Sequence, residues 1–375
     1  MRFDKKTFLA LQSGKGVTSR SVFHGLFCRF LKGGFVSGVC RAKVRQTPSV
    51  KTAWPIILLG LVAPVLAAED AARQDGLAWL TKMADASRRL NYSGTFVYQH
   101  ADRIETSRIV HFVNPAGGEF EKLETLDGPA REVIRTNDQV TCYLPDARTV
   151  IIEKRSARRF PALLPEQLSG VADNYVVSVT GMDRVAGYDC QVVVLEPKDR
   201  LRYGHQFCAE ARSGLPLRAR TLSEKNQPLE SFAFTELKIG GSFSRDQVRS
   251  RYAAKSRDWK VDHSALVLSD VPADTGWALT RQPAGFKKVT ELKRSIAGRA
   301  VMVSHIVYSD GVAAVSVFIE PLPKTLPAQS LSHQGAVNIY VRPVADHMVT
   351  VLGETPAATV MQIANSLEFR GGRGR

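Results

Sequence analysis

The sequence predicts a mainly β protein of the α+β class, in which a long antiparallel sheet curls into a barrel or half-barrel. From residue 92 to residue 239, apolar residues alternate with a period of two in eleven short segments rich in β-branched and aromatic residues. Turn residues such as Asp127-Gly128-Pro129, Asn137-Asp138, Ala186-Gly187 and Ser213-Gly214 separate many of these segments. Strands joined by tight turns form an antiparallel meander, and so many strands are not expected to form a flat sheet.

The strand boundaries follow from the alternation and from the turns. The predicted strands are residues 92–100, 103–113, 118–126, 130–136, 139–144, 148–153, 175–182, 188–196, 202–212, 215–224 and 229–239. Several strands are apolar on both faces; Phe232 and Phe234, for example, alternate with Ala233 and Leu237. A sheet with one face in water shows a cleaner alternation, so both faces of this sheet are expected to be covered.

Two segments outside the strands are predicted to cover the sheet. Residues 74–91 form an amphipathic helix, because Trp79, Met83 and Leu90 recur on one face at helical spacing. The second segment is Arg159–Leu168, an apolar stretch broken by two prolines. We interpret this stretch as a lid over an apolar cavity; the alternative is core packing with no cavity.

A smaller mixed module is predicted at residues 265–370, after a polar linker at residues 241–264 that holds a short helix. Ser309-Asp310-Gly311 is a hairpin turn between two strands rich in β-branched residues. The strands of the module are placed near residues 277–281, 299–308, 312–320, 337–342 and 347–353. The module closes with a helix at residues 357–367, and an Arg-Gly tail follows at residues 371–375.

Most of the net charge lies at the start of the chain. The 375 residues include 51 Lys and Arg against 36 Asp and Glu, a formal charge of +15. Residues 1–68 hold eleven basic residues and one acidic residue, which is +10 of that total. A strongly basic domain favours nucleic acid as a partner. The rest of the chain is close to neutral, so no nucleic-acid partner is predicted.

The basic segment is predicted to be a leader with a secretory signal peptide. Lys51 precedes an apolar run from Ala53 to Leu66, and Val65-Leu66-Ala67 forms a cleavage site with small residues at its ends. The run is shorter than the roughly 20 apolar residues of a membrane span. The alternative, a buried core helix, is disfavoured by the prolines and the glycine within the run. Residues 1–67 are therefore assigned to the leader, with Val50 as a candidate for the true start, and the protein is expected to be exported.

One disulfide bond is predicted in the exported protein. Beyond the leader the cysteines are Cys142, Cys190 and Cys208. In a hairpin centred on Asp199, Cys190 and Cys208 are equally far from the centre and therefore directly opposed. Opposed residues have Cα atoms about 4.5–5.5 Å apart, which a disulfide bond can span. Cys142 is left without a disulfide partner; the alternative is three thiols.

The sequence contains no recognisable catalytic or metal-binding motif. It has no Gly-x-Ser-x-Gly, no His-Glu-x-x-His and no Cys-x-x-Cys. The seven histidines after the leader are scattered, and none lies three or four residues from another. We predict that the protein is not an enzyme and uses no metal and no cofactor.

Five segments of the chain form an ordered pattern that carries no catalytic signature. They are Leu90–Tyr98, Leu126–Arg135, Asp199–Gly204, Gly214–Leu217 and Tyr308–Glu320. In this order they resemble the RseB/MucB family of periplasmic regulators of an envelope-stress sigma factor. The resemblance covers essentially the whole chain after the leader; the leader and the Arg-Gly tail are not part of the family pattern.

The resemblance implies both a fold and a function. Members of the family have an N-terminal half-open antiparallel β-barrel with helices, similar to the lipoprotein carriers LolA and LolB, and a smaller α+β C-terminal domain. They bind the periplasmic region of a membrane anti-sigma factor (RseA or MucA) and protect it from regulated proteolysis, which restrains the sigma factor. A lipid or a lipopolysaccharide-type ligand triggers release. The alternative is a LolA-like periplasmic carrier of lipid or lipoprotein, and a homodimer is left open.

The resemblance also directs the choice of site residues. Residues 68–240 would form the lipid-binding domain and residues 265–370 the anti-sigma-binding domain. The candidate lipid contacts are Phe96, Tyr98, Phe112, Tyr143, Leu163, Leu164, Phe232 and Phe234. The candidate headgroup contacts are Arg155, Arg158 and Arg159, since guanidinium groups hold phosphates bidentately; solvated surface is the alternative. The candidate partner contacts, for which structural packing is the alternative, are Tyr308, Val312, Val315, Val317 and Phe318.

Overall fold

In the computed structural model, the chain forms two large β-sheets, each with an α-helix packed against it. The structure describes residues 63–101, 103–137, 139–154, 168, 170–262, 271–272, 274–295, 302–323 and 328–371. The helices are α1 (Ala63–Arg89), α2 (Val171–Asn174) and α3 (Ala357–Asn365). Within these ranges no helix has both the length and the apolar character needed to cross a membrane. The predicted mainly β, α+β class is confirmed.

The first sheet is built almost entirely from consecutive antiparallel hairpins. Its strands are β1 (Tyr92–His100), β2 (Arg103–Val113), β3 (Glu119–Thr125), β4 (Glu132–Thr136), β5 (Gln139–Leu144), β6 (Thr149–Lys154), β7 (Tyr175–Val185), β8 (Tyr188–Pro197), β9 (Gly204–Glu210), β10 (Pro216–Leu222), β11 (Pro228–Ile239) and β12 (Lys260–Asp262). Their order is β12-β6-β5-β4-β3-β2-β1-β11-β10-β9-β8-β7. The strand positions agree with the prediction because the turn residues were correctly identified; Asn137, Gly187 and Gly214 all have positive φ.

The first sheet curls around its apolar face and is half open, since its outer strands β7 and β12 do not pair with each other. Helix α1 contacts β2 from one half of the sheet and β7, β8 and β10 from the other half. Leu80, Met83 and Ala86 lie on the face of α1 that is buried in this core. The Tyr188 hydroxyl donates to the carbonyl of Leu237 at 3.2 Å, which joins the start of β8 to the end of β11. The part of the concave face beneath α1 therefore belongs to the apolar core of this domain.

The predicted disulfide bond between Cys190 and Cys208 is present, with Cα atoms 5.4 Å apart. The predicted register of the hairpin is wrong by two residues: Cys190 lies opposite Glu210, and Cys208 lies opposite Val192. The cause is the loop at residues 198–203, which is longer than a tight turn because it leaves the sheet and packs on the second domain. The third cysteine beyond the predicted leader, Cys142, is buried on β5.

The segment predicted to be a linker is partly built into the first domain. Its short helix is a 3-10 turn at Arg245–Val248, which begins with a capping box between Ser244 and Gln247. Val248 is buried against Phe112 and Phe120 on the convex face of the sheet. Further along, β12 pairs with β6 in parallel and extends the sheet. The described part of this segment thus covers part of the convex face. Such cover is needed because several strands of the sheet carry apolar residues on both faces.

The second sheet has seven strands in the order β13-β15-β16-β17-β20-β19-β18, beside a separate pair β14-β21. The strands are β13 (Val271–Pro272), β14 (Trp277–Leu279), β15 (Lys287–Ser295), β16 (Met302–Ser309), β17 (Ala314–Pro321), β18 (Ser330–Gln334), β19 (Val337–Val344), β20 (His347–Gly353) and β21 (Leu367–Phe369). Helix α3 packs on β19 and β20. Its buried residues Val360, Ile363 and Ala364 join the core on that face.

Three features of the second domain differ from the prediction. Strand β15 carries four basic residues and a bulge between Lys288 and Thr290, which hide its alternation. Strand β18 is an edge strand with mostly exposed polar side chains, a common protection against edge-to-edge association. The closing helix ends at Asn365 rather than at Leu367, because Leu367 already pairs with Leu279 in the β14–β21 ladder.

The two domains are held together by a buried arginine. Arg202, in the loop between β8 and β9, is 1% exposed at its side chain, and its partner Asp310 is 0% exposed. The Arg202 Nε donates to Asp310 Oδ2 at 2.7 Å, and its Nη2 donates to the carbonyl of Ala284 at 2.6 Å. The remaining nitrogen, Nη1, pairs with Asp199 within the same loop. One side chain of the first domain therefore contacts two loops of the second.

The backbone around Arg202 approaches the second domain closely. Gly285 has a φ of +77°, and a Cβ at this position would lie 2.1 Å from the Asn174 side chain and 2.9 Å from Arg202. Any other residue would therefore push the two domains apart. The Thr359 hydroxyl donates to the carbonyl of Leu201 at 2.7 Å, and Asn338 donates to the Tyr203 hydroxyl at 3.0 Å. The loop is thus anchored at three successive residues.

Replacement of Arg202 tests the importance of this contact. Arg202→Ala leaves Asp310 buried without its cation, so we expect the free energy of unfolding in urea to fall by about 3–5 kcal/mol. Arg218→Ala is the matched control, because it breaks a pair with Asp183 in which the carboxylate is 44% exposed and stays hydrated; the expected loss is below about 1 kcal/mol. Equal losses for the two variants would contradict the assignment.

The disulfide bond is tested by counting thiols and by stability. The chain without its predicted leader, in denaturant, is expected to expose one reactive thiol before reduction and three after it. Replacing both Cys190 and Cys208 with alanine should lower the free energy of unfolding by about 3 kcal/mol, because the bond closes a loop with a sequence separation of 18. Three reactive thiols without reductant would show that the bond does not form.

Candidate functional site

Four predicted lipid contacts lie together on the concave face of the first sheet. In the β1–β11 ladder, Phe96 lies opposite Phe234 and Tyr98 lies opposite Phe232. The ring centroids of Phe96 and Phe232 are 5.1 Å apart, and those of Phe232 and Phe234 are 5.2 Å apart. Both pairs have the edge-to-face arrangement that aromatic rings prefer. We call these four residues the aromatic row.

An apolar band continues the aromatic row across strands β2 to β5. Ile109 lies opposite Gly94 on β1 and Leu123 on β3, and Leu123 lies opposite Val133 on β4. Val133 in turn lies opposite Cys142 on β5. Directly opposed residues point to the same face of a sheet, so these side chains form one surface. We call Ile109, Leu123, Val133 and Cys142 the apolar band.

A row of buried charged residues borders the apolar band. His111 lies opposite both Tyr92 and Glu121, and Glu121 lies opposite Arg135. The guanidinium of Arg135 lies 3.8 Å from Glu121 and 3.9 Å from Glu119. Burial, and then the carboxylates of Glu121 and Glu119, raise the pKa of Tyr92 well above its ordinary value, so its hydroxyl remains protonated. The concave face is therefore amphipathic, with an apolar centre and a charged margin.

At the other end of the aromatic row, a buried carboxyl group lies at the domain junction. Glu230 is on the same face of β11 as the aromatic row, and it lies opposite His100. The backbone N–H of Ala336, in the turn between β18 and β19, donates to Glu230 Oε1 at 3.2 Å, and the Tyr98 hydroxyl donates to the same carboxyl group. Burial, and then the Glu354 carboxylate, raise the pKa of Glu230 to about 7. The concave face therefore reaches the second domain.

Two predicted lipid contacts, Phe112 and Tyr143, lie on the opposite, convex face of the sheet. The ring of Phe112 stacks on Phe120 with centroids 4.9 Å apart, beside Val248. Tyr143 lies opposite Glu132, and burial followed by the charge of Glu132 raises its pKa. Successive side chains of a strand alternate between faces, and the apolar residues on both faces of this sheet conceal which set is concave.

The predicted partner contacts are largely buried, so the hairpin is not an exposed docking surface in this structure. Tyr308, Val315 and Val317 lie in the core shared with α3. Phe318 is buried on the other face of the same sheet. Val312 packs against the core of the first domain. The many β-branched residues of this hairpin reflect central strands covered on both faces, which matches the alternative of structural packing.

The remaining predicted contacts lie outside the described residues. They are Leu163, Leu164, Arg155, Arg158 and Arg159. In the part of the chain that the structure describes, no three His, Cys, Asp or Glu side chains are grouped so that they could hold a metal ion.

Several important residues have no distinctive sequence signal. Ile109 and Leu123 belong to alternating strands, but alternation does not tell the concave face from the convex face. Glu230 resembles any other carboxylate of a β-strand, because its burial depends on the docking of the second domain. Arg202 and Asp310 are different, since both lie within segments of the ordered family pattern. That pattern was the signal that could have identified them.

Comparison with known proteins places the chain in a family along most of its length. Residues 75–252 match the MucB/RseB N-terminal domain, and residues 271–368 match the MucB/RseB C-terminal domain. The sigma factor AlgU regulatory protein MucB of Pseudomonas aeruginosa is 31% identical over 324 residues, which cover 85% of this chain and 98% of the relative. The sigma-E factor regulatory protein RseB of Escherichia coli K12 is 24% identical over 327 residues, covering 85% and 99%.

Two solved structures are similar to this chain. The complex of Pseudomonas aeruginosa MucA and MucB has a TM-score of 0.65 at 29% identity, covering 80% of this chain and 100% of the solved chain. A crystal structure of MucB without a named partner has a TM-score of 0.55 at 29% identity, covering 78% and 98%. Both sheets, the domain order and the matched segments agree with one conclusion: the chain belongs to the MucB/RseB family.

Proposed function

We propose that this protein binds the periplasmic region of a membrane anti-sigma factor and thereby regulates an envelope-stress sigma factor of the sigma-E/AlgU type. The relatives support this proposal. The Pseudomonas aeruginosa relative is named for the regulation of AlgU, and solved structures of MucB include complexes with MucA and with MucA(peri). The chain covers 98% of that relative, so the similarity includes both domains.

Binding would protect the anti-sigma factor from regulated proteolysis. Proteases cleave flexible, exposed segments, and a segment bound to a folded surface loses that flexibility. The consequence is that the sigma factor stays restrained while the complex persists. The Tyr308–Glu320 hairpin is not favoured as the binding surface, because its predicted contact residues are mostly buried.

The observation that supports a lipid signal is the amphipathic concave face. The aromatic row and the apolar band suit acyl chains, whereas the charged residues around Arg135 and His111 suit the polar part of a lipid. Ligand sites of this kind combine an apolar lining with a few polar groups that fix orientation. A lipid or a lipopolysaccharide-type molecule is therefore the proposed ligand of this face.

The two binding events would oppose each other. If lipid lowers the affinity for the anti-sigma factor, the anti-sigma factor must lower the affinity for lipid by the same factor. The aromatic row ends at Glu230, which contacts the second domain through Ala336. A ligand on the concave face would thus lie next to the contact between the domains, where it could change their arrangement.

The proposed location is the periplasm, reached through a cleavable signal peptide. The basic leader and its apolar run supply the export signal. The Cys190–Cys208 bond fits an oxidising compartment.

A LolA-like carrier of lipid or lipoprotein is the second candidate. The apolar band favours it, because that surface needs no anti-sigma factor to bind an acyl chain. The carrier and the regulator differ in their protein partner, which the first experiment examines.

A purified periplasmic segment of a MucA/RseA-type anti-sigma factor is expected to form a complex with this protein. Calorimetry measures the binding, and limited trypsin digestion measures the protection of the segment. A segment of the same composition in scrambled order is the control and should remain unbound and sensitive to trypsin. Absence of a complex, with lipopolysaccharide binding intact, would favour the carrier.

A charge on the concave face is expected to weaken lipid binding. Val133 and Ile134 are adjacent on β4, both are half-buried, and they point to opposite faces. Val133→Asp would place a carboxylate against the acyl chain, so the affinity for lipopolysaccharide should fall by about tenfold or more. Ile134→Asp, on the convex face, should leave it within about twofold. Equal effects of the two variants on fluorescence-detected binding would place the lipid elsewhere.

A further inference from the structure

The domain junction brings two carboxyl groups from different domains close enough for their charges to interact. Glu230 belongs to the first sheet and is 7% exposed. Glu354 follows β20 in the second domain and is half-buried, and its charge raises the pKa of Glu230. Burial disfavours the ionised form of Glu230, and repulsion by the Glu354 carboxylate adds to this effect. Together they outweigh the hydrogen bonds from Tyr98 and Ala336, which favour the ionised form. The protonation of Glu230 therefore affects how well the domains dock.

The docking itself seals the Glu230 carboxyl group from water. Gly335, in the turn before Ala336, has a φ of +57°, and a Cβ there would lie 2.2 Å from the His100 ring and 3.0 Å from Glu230 Oε1. Only glycine permits this approach. If the turn at residues 335–336 moves away, Glu230 loses the Ala336 N–H, becomes hydrated and returns towards its ordinary acidity.

We propose that Glu230 is a proton-operated latch between the two domains, which holds the turn at residues 335–336 when it is protonated and weakens the docking when it is ionised. This property goes beyond the proposed function and does not depend on it. It concerns how this protein responds to pH, whatever partner or ligand it binds.

The neighbouring groups are compatible with Glu230 as the titrating residue. Burial, followed by the charge and hydrogen bond of Glu230, raises the pKa of Tyr98 well above its ordinary value. Burial lowers the pKa of His205, in the same cross-strand row, to about 4. Neither group changes charge between pH 5.5 and 8. Glu354 faces Glu230 from the second domain, and His100 faces it from β1. His100 in turn lies opposite Arg103 on β2, so both side chains belong to the same cross-strand row as Glu230, and a His100 variant separates the histidine from the carboxyl group.

The direction of the pH dependence follows from the two states. The Glu230 pKa is about 7 when docked, against an ordinary value of 4.5 when hydrated. Below pH 4.5 the group is protonated in both states and the contribution to docking is fully present. From pH 4.5 to 7 docking takes up a proton, so the docking constant falls by up to about tenfold per pH unit. Above pH 7 the contribution is lost.

Hydrogen exchange at the turn tests the latch even if undocking is rare. The whole protein and its Glu230→Gln variant are compared at each pH from 5.5 to 8, following a peptide that contains Ala336. The ratio of their exchange rates removes the intrinsic effect of pH on exchange. Glutamine is neutral throughout and keeps an acceptor oxygen for Ala336. We expect the unsubstituted protein to exchange about tenfold faster than the variant at pH 5.5, which is one pH unit above 4.5, and this ratio to rise by about a further tenfold or more by pH 8.

Two further variants identify the titrating group. Glu354→Gln removes the opposing carboxylate, so the rise should become smaller when the ratio is measured in that background. His100→Gln should leave the rise unchanged. A ratio that stays flat from pH 5.5 to 8, or a rise that disappears with His100→Gln, would overturn the proposal. Neither measurement uses lipid or an anti-sigma segment, so failure here would leave the proposed function standing.

Discussion

The arrangement of the two domains depends on the buried guanidinium of Arg202. A cation removed from water is tolerated only when its donors are satisfied, and here they reach Asp310, Asp199 and the carbonyl of Ala284. To deliver this side chain, the loop at residues 198–203 leaves the sheet, which lengthens the β8–β9 connection and changes its register. The same contact places the second domain against the end of the concave face. The domain junction and the candidate site therefore both depend on Arg202.

The concave face is thereby in physical contact with the second domain. The aromatic row lies next to Glu230 on β11, and Glu230 in turn contacts the turn at Ala336. Two pairs of charged groups at the junction interact in different ways. The Arg202–Asp310 pair combines opposite charges, whereas Glu230 and Glu354 have the same charge when both are ionised. The Arg202–Asp310 contact is favourable, whereas the effect of Glu230 depends on its protonation. Such a junction is suited to a change in domain arrangement in which neither domain unfolds.

Much of the fold follows from local patterns, and the errors have physical causes. The strands of the first sheet could be predicted because alternation and turn residues act locally, as at Asn137 and Gly214. Strand β15 was hidden by its basic residues and its bulge. Phe96 lies on the concave face and Phe112 on the convex face, and this depends on which segments of the folded chain cover each face of the sheet. No local pattern encodes that. Val315 and Val317, which were placed among the partner contacts, are buried in a central strand, because strong β propensity also marks such strands.

The most direct measurement of the central claim is the distance between the domains during ligand exchange. Spin labels at Lys238→Cys on the first domain and Lys293→Cys on the second replace exposed residues. If the concave face and the anti-sigma factor act through the junction, lipopolysaccharide should shift the distance distribution, and an excess of the anti-sigma segment should shift it back. An unchanged distribution while lipopolysaccharide displaces the segment would contradict the account.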